Sequence, residues 1–525
     1  MMELSVSDAS QESPPTDTGR DPHPGIFDPH WRLCWGLIAL AIALRFLRYV
    51  HDRGLWLDEV YLALNLVNRS FSELALELDD LQYAPLGFLV VMKLCVVAFG
   101  SSEWAFRLFP LAASLISIAP FYGLAKRVLK PGAVPLALLL YALSFPLLVY
   151  SAEAKVYGVD AAIAVALVFV AVMYANEPIP RLRNALLVAA VGASAVWFSF
   201  PAAFVLAGIG ISLALPLLLR RNWRGLGFLS LAIAIWSISF AAQAWLMIGR
   251  GEPQLPASDL GGLQRYYSED FLPWPPRPAA VAEWLMYFCS TLSGYFTSEV
   301  AAGVGVFAFV MGCLPMAKGQ RQALAMLIAP LVITLLVSAT QLYPTRDRFM
   351  VFIGPALLLV MAAGFDEIRM RVGAQGRIVW ILLLVVLLFQ PSLRAVKQSI
   401  APERHGDSRA AVARLDEQVQ EGDVLFLHWT ADPQYRFYSK HKLPAENVIV
   451  GSRSESWDKM IRDVELLPLK PRVWVLFSFN AQTTPAGRTI RQYLKSNGRL
   501  LDTFESQKTA LYLYDMSAGP EPAAP

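Results

Sequence analysis

From residue 31 to residue 394 the chain reads as long apolar runs broken by short polar clusters, and past residue 395 the pattern changes. A run of roughly 18 or more apolar residues is what a helix needs to cross a hydrocarbon core of about 30 Å. Such runs lie at 31–50, 104–126, 133–151, 156–174, 184–200, 201–219, 225–247, 299–317, 322–341, 349–365 and 378–394. The expectation is an α-helical polytopic membrane protein with about eleven transmembrane helices. Residues 85–100 (PLGFLVVMKLCVVAFG) are also apolar, but the run is short and carries Lys93, so it is read as a helix lying in the interface on its apolar face. Residues 51–103 then form one long first loop. Within it, Asp58 is placed to N-cap an amphipathic helix reaching about Asn68, and Ser70-Phe-Ser-Glu73 reads as a capping box opening another.

Beyond 395, helical patterns at 407–420, 456–465 and 484–497 alternate with strand patterns at 423–429, 447–450, 472–479 and 509–516. Near-continuous apolar strands between amphipathic helices predict a small α/β sheet covered on both faces, within a domain spanning 395–516. No GxGxxG or GxxxxGK follows any of these strands, which leaves nucleotide binding without support. Residues 1–30 are polar and Pro-rich, with neither a basic n-region nor an apolar h-region. They are read as a disordered tail rather than a cleaved signal, and 517–525 as a second tail.

Composition agrees with the membrane reading: 55% of residues are hydrophobic and 17% charged, with a mean hydropathy of +0.44, where soluble chains carry about a quarter charged residues. A net charge of +3 without a basic-aromatic groove gives no case for nucleic acid. Cys34, Cys95, Cys289 and Cys313 show no metal-ligand spacing and read as small buried hydrophobes. The basic residues fall in alternate loops: Lys126/Arg127/Lys130, Arg181/Arg183, Arg220/Arg221/Arg224, Lys318/Arg321 and Arg369/Arg371/Arg377. By the positive-inside rule these loops and the N-terminus are cytoplasmic, and the C-terminal domain is exported. Counting 85–100 as a span would invert every later loop.

On the opposite, external side the same topology collects ionisable residues: Asp58 and Glu59 in "RGLWLDEVY", Glu103 and Arg107, Glu153 and Lys155 in "YSAEAKVYG", and Arg346, Asp347 and Arg348 in "YPTRDRF". Charges at the edge of a span persist where they pair or bind something charged. Blander readings exist for each. Glu103 and Arg107 stand i,i+4 and can pair on one helix; Arg346 and Arg348 can be snorkelling anchors; Asp58 can be only a cap; Glu153 and Lys155 can be loop charges. Their gathering on one side favours a pocket for a substrate with an apolar tail and an anionic head.

The stretches "RGLWLDEVY", "APLGF…AFGSSEWAFRLFPLAAS", "YSAEAKVYG" and "YPTRDRFMVFIGPALLLVMAAG" resemble successive blocks of the GT-C glycosyltransferases, nearest to bacterial relatives of the dolichyl-phosphate-mannose–protein mannosyltransferases and the lipid A aminoarabinose transferase. The resemblance covers about residues 31 to 394 and rests on the order of the blocks. It implies transfer of a sugar from a polyprenyl-phosphate carrier to an extracytoplasmic acceptor (glycolipid, polysaccharide or protein), generally with inversion, in a bacterial inner membrane. It also implies that Asp58, with Glu59 beside it, is the acid in the first loop that serves as base or organises the site. Arg346 and Arg348 would hold the donor phosphate, with Lys155 joining them on a looser match to E-x-R-x-Y in which Lys replaces Arg; Glu153, Glu103, Arg107, Tyr83 and Tyr343 would support the site. The chain departs from its relatives where many have His-Pro-Pro and this one has Tyr83-Ala84-Pro85, and at Phe200, where some have His. With His51 the only histidine left on that face before the C-terminal domain, a His-carboxylate metal site is not expected, and a carboxylate-only Mg²⁺ or Mn²⁺ site stays open. The rival readings are transport of a lipid-linked substrate and a non-catalytic role in envelope assembly. The first predicts midplane charges and inverted repeats, of which the sequence shows neither.

Overall fold

The computed structural model describes residues 29–175, 182–248, 267–402, 408–452, 462, 463, 465, 467, 469–506 and 508–517. The helix expected at 456–465 and the two tails lie almost wholly outside these residues. Among the described residues nine helices are long and apolar enough to cross a membrane, and the protein is an integral membrane protein. They include α1 (Pro29–Val50), α4 (Glu103–Val128), α7 (Tyr157–Ala175), α9 (Ala202–Leu219) and α10 (Trp223–Ile248). A further helix pair, Pro131–Leu143 and Phe145–Ala152, meets the same length and composition together but is bent by 58° at its break. Pro146 accounts for the break: it has no N–H to bond back into the preceding turn, so the helix stops at Ser144 and restarts with Pro146 in the first turn, leaving α5 (Val134–Leu143) and α6 (Phe145–Val149) on either side. The segment expected at 184–200 helps only as α8 (Leu182–Ala195), whose 14 residues reach about 21 Å.

The first loop folds as short elements. α2 (Leu57–Asn68) is capped at Trp56, not at Asp58: the Glu59 carboxylate accepts from the Trp56 N–H at 3.2 Å. The Ser70–Glu73 box is present, with Glu73 accepting from the Ser70 N–H at 2.7 Å, although it opens only a single 3₁₀ turn over Glu73–Ala75. α3 (Leu86–Phe99) is the apolar helix of the 85–100 run, again 14 residues and about 21 Å long.

The later helices include one not anticipated, α11 (Pro278–Phe296), whose Glu283, Tyr and Ser residues dilute its apolar character. It is followed by α12 (Ala302–Gly319), α13 (Arg321–Ala339), α14 (Gly354–Val372) and α15 (Arg377–Ile400), the last running past residue 394. α14 forms the centre of the bundle, and α12 crosses it where two glycines face each other's backbone. A Cβ added at Gly312 would meet the Val360 carbonyl oxygen, and one at Gly364 that of Ala308. Without water to drive association, close backbone approach of this kind is what holds membrane helices together.

The basic loops meet at one end of the bundle: Lys130 lies 3.7 Å from Glu367, and Lys130, Gly319 and Asp366 line one cavity. At the other end sits the sheet domain, with strand order β2-β1-β3-β5-β4. β1 (Val424–Leu427), β2 (Val448–Val450) and β3 (Val473–Ser478) are parallel, while β5 (Thr509–Asp515) and β4 (Arg499–Ser506) add antiparallel. The sheet is covered on both faces, by Ala411, Val412 and Leu415 of α16 (Arg409–Gln418) on one and Ile490 and Leu494 of α18 (Pro485–Asn497) on the other. β4 was not anticipated, because an exposed edge strand shows no continuous apolar run. α17 (Asp432–Tyr438) was also missed; at seven residues it is too short to show a helical period.

At the carboxyl end of β1, His428 is buried with its Nδ1 2.9 Å from the Thr430 hydroxyl. Burial pulls its imidazolium down to about 4. A folded value below the unfolded one of about 6.5 means that the unfolded chain binds the extra proton first. The stability this gives is whole above pH 6.5 and is lost as pH falls through about 4, a difference of roughly 3 kcal/mol. Thermal melts between pH 7 and 4 should show this acid limb, and His428→Gln should flatten it.

Candidate active site

Two acids adjacent in sequence take opposite fates. Successive residues of α2 point about 100° apart, so Glu59 turns into the bundle while Asp58 faces the cavity side. Both Glu59 oxygens are spent: Arg107 of α4 grips them with Nε at 2.9 Å and Nη2 at 2.6 Å, and the Ala154 N–H donates at 2.7 Å. Glu59 and Arg107 are both fully buried. Arg107 further donates to the Arg53 and Gly54 carbonyls at 2.8 and 3.1 Å, which fixes the loop segment leading into "WLDE". Glu59 therefore positions the loop and has no free oxygen for a ligand. Glu103 does not pair with Arg107 at all: it accepts from the Tyr438 hydroxyl at 3.1 Å and from Arg409 at 3.4 Å, both in the sheet domain.

Asp58 instead reaches the turn before α14, where Arg348 Nη1 donates to its Oδ2 at 2.6 Å. These residues are 290 positions apart in sequence. The pair is partly open to solvent, with side-chain exposures of 24% for Asp58 and 29% for Arg348, so a ligand can reach it. Arg348 Nη2 also donates to the Tyr267 hydroxyl at 3.2 Å. Arg346 is 3.7 Å from Asp270 and half exposed. Tyr343 holds the turn from behind, its hydroxyl donating to the Phe349 carbonyl at 2.8 Å. Lys155 donates to the Gln82 side chain at 2.7 Å; burial lowers its ammonium while nearby Asp58 acts the other way. Tyr83 is 55% exposed and is not among the cavity residues.

A cavity of about 320 Å³ opens beside the Asp58–Arg348 pair, lined by Trp56, Tyr150, Glu153, Tyr267, Tyr295 and Arg348 among others. It suits a ring-sized polar group: the aromatic side chains of Trp56, Phe145, Tyr150, Tyr267 and Tyr295 line it together with the charged Arg48, Glu153, Arg346, Asp347 and Arg348. The Trp56 indole N–H is buried there without a partner. At the floor, Glu153 lies 3.4 Å from Arg48, which also bonds Gln398. Burial and the charge of Glu59 push the Glu153 carboxyl up to about 7. Arg48 and Tyr267 are site residues that sequence reasoning missed. Arg48 carried a signal, being a charge within an apolar run; Tyr267 carried none.

The sheet domain clamps this arrangement. The Leu55 N–H donates to Tyr438 Oη at 2.8 Å, Gln434 donates to the Leu55 carbonyl at 2.9 Å, and Phe437 packs on Phe106 with ring centroids 5.9 Å apart. As for metal, no group of three or more His, Cys, Asp or Glu among the described residues is placed to hold an ion. With Glu59 saturated by Arg107 and Asp58 facing Arg348, the donor set does not fit a divalent cation, and no step below uses one.

A bundle with a long first loop, an acid from that loop meeting an arginine from the turn before its central helix, and a further domain docked on that loop has the fold of the GT-C glycosyltransferases. No protein-family model and no curated protein matches the chain. Among solved structures it is similar to ArnT, the lipid A aminoarabinose transferase, from Cupriavidus metallidurans bound to undecaprenyl phosphate, with 13% identity over 94% of this chain and 99% of that one at a TM-score of 0.55. It is also similar to the oligosaccharyltransferase AglB from Archaeoglobus fulgidus in complex with an inhibitory peptide and a dolichol-phosphate, with 12% identity over 94% of this chain and 75% of that one at a TM-score of 0.50.

Proposed function

We propose that this protein is a membrane glycosyltransferase that moves a sugar from a polyprenyl-phosphate-linked donor to an acceptor hydroxyl on a glycolipid, polysaccharide or protein outside the cytoplasm, inverting the anomeric carbon. The observation that carries this reading is the 2.6 Å contact between Asp58 and Arg348 at the rim of an aromatic cavity. A carboxylate and a guanidinium in contact neutralise each other at rest. An arriving lipid phosphate competes for Arg348, and Arg348 with Arg346 can hold phosphate oxygens in charge-assisted hydrogen bonds. Asp58 is then released to accept a proton. The acceptor oxygen bonds to the sugar C1, the C1–O bond to phosphate breaks with its electron pair going to the leaving phosphate, and Asp58 takes the acceptor proton. The arginines stabilise the charge that gathers on the leaving group.

The placement of the site supports the same reading, because apolar helices beside it can take the lipid tail while the sheet domain docks on the loop that carries Asp58. Similarity to structures that carry undecaprenyl phosphate and dolichol-phosphate supports the carrier class. Arg348→Ala should weaken undecaprenyl phosphate binding by about 10- to 100-fold, since a hydrogen bond to a charged group contributes about 1.5–3 kcal/mol. Native mass spectrometry of the purified protein reads this directly, and unchanged retention of the lipid in the variant would overturn the phosphate role.

A further inference from the structure

A cavity of about 1300 Å³ lies at the end of the bundle away from Asp58. It is bounded by the last turns of α7, α9 and α12, by Gln320 between α12 and α13, and by α13 itself from Arg321 to Leu336. Its walls are aliphatic, with Ile211 and Leu215 on one side and Val332 and Leu336 on another. Arg220, Lys318 and Arg321 line it, contributed by the ends of three different helices, and among the described residues no Asp or Glu lines it. The acid whose charge Lys318 feels, Glu367, is already bonded to Arg371 at 2.8 Å. Arg220 and the Lys318/Arg321 pair are far apart in sequence, yet they line one cavity. The proposed transfer uses none of them.

The groove also has depth. Arg321 to Leu336 is 15 residues along α13, or about 22 Å, which passes the middle of a hydrocarbon core about 30 Å thick. Basic residues lining an aliphatic slot between membrane helices are chemistry that recognises an anionic headgroup with its chain. A zwitterionic lipid brings a cation of its own to three cations and fits poorly. We propose that this groove binds an anionic glycerophospholipid, its phosphate against Arg220, Lys318 and Arg321 and an acyl chain lying along α13 past Leu215 and Val332. The site is separate from the Asp58–Arg348 cavity and independent of the transfer reaction.

The test is native mass spectrometry of the full chain released from nanodiscs of equal phosphatidylglycerol and phosphatidylcholine. Wild type should retain one phosphatidylglycerol at least tenfold over phosphatidylcholine. Arg220→Gln with Arg321→Gln should remove that preference. Because stripping basic residues can disturb membrane orientation, Leu215→Trp supplies the second arm: it fills the slot, leaves every charge in place, and should lower retention tenfold while undecaprenyl phosphate binding at Arg348 is unchanged. Equal retention of the two lipids by wild type, or wild-type retention by Leu215→Trp, would overturn the proposal.

Discussion

Asp58→Asn is expected to fold and insert as wild type does while losing about 10²- to 10⁴-fold in sugar transfer, the range a positioned general base contributes. The substitution keeps the shape of the side chain and removes the charge that accepts the acceptor proton. It also takes away the resting competitor for Arg348, so lipid phosphate binding should hold or tighten. That split separates a base from a structural acid: a residue that only braced Arg348 would, when neutralised, disturb phosphate binding and thermal stability together. Turnover, undecaprenyl phosphate retention and melting temperature measured on one preparation distinguish the two. A transporter or scaffold would lose little of anything.

Arg107→Ala should have the largest effect on stability. It leaves the Glu59 carboxylate fully buried without its bidentate partner, and removing one member of a buried pair costs about 3–5 kcal/mol. The Arg53 and Gly54 carbonyls lose their donor as well, so the segment leading into "WLDE" loosens and activity falls with the melting temperature. Glu59→Gln combined with Arg107→Met should cost less than Arg107→Ala alone, because no charge is then stranded. If the single variant melts as wild type does, Glu59 is not held as described.

What the sequence made legible follows from what each signal measures. Apolar run length reports burial in lipid, and it located the helices that meet the length and composition needed to cross. It could not foresee the break at Ser144 or the short α8, where proline and helix packing decide. The collection of Asp58 and Arg348 on one face came from charge alternation alone, and the contact across 290 positions agrees with it. Local rules did worse at the same residues. The i,i+4 spacing of Glu103 and Arg107 suggested a helix pair, yet Arg107 finds Glu59 on another helix, where burial makes a bidentate partner worth more. Asp58 had the chemistry of an N-cap, but Trp56 and Glu59 cap the helix and leave Asp58 free for the cavity. Glu59 looked like a second catalytic acid because adjacency in sequence says nothing about which way a helical side chain points. The docking of Tyr438 and Gln434 on Leu55 left no pattern at all; such contacts depend on two surfaces meeting, and neither surface advertises the other.

The central claim is that Asp58 and Arg348 together make a sugar-transfer site. It is tested most directly by mass spectrometry of envelope glycans and glycolipids from cells lacking the protein, complemented with wild type or with Asp58→Asn. The account predicts one sugar missing in the null strain, restored by wild type and not by the Asp58→Asn protein expressed at equal level. A profile that does not change on deletion, or one fully restored by Asp58→Asn, would contradict it.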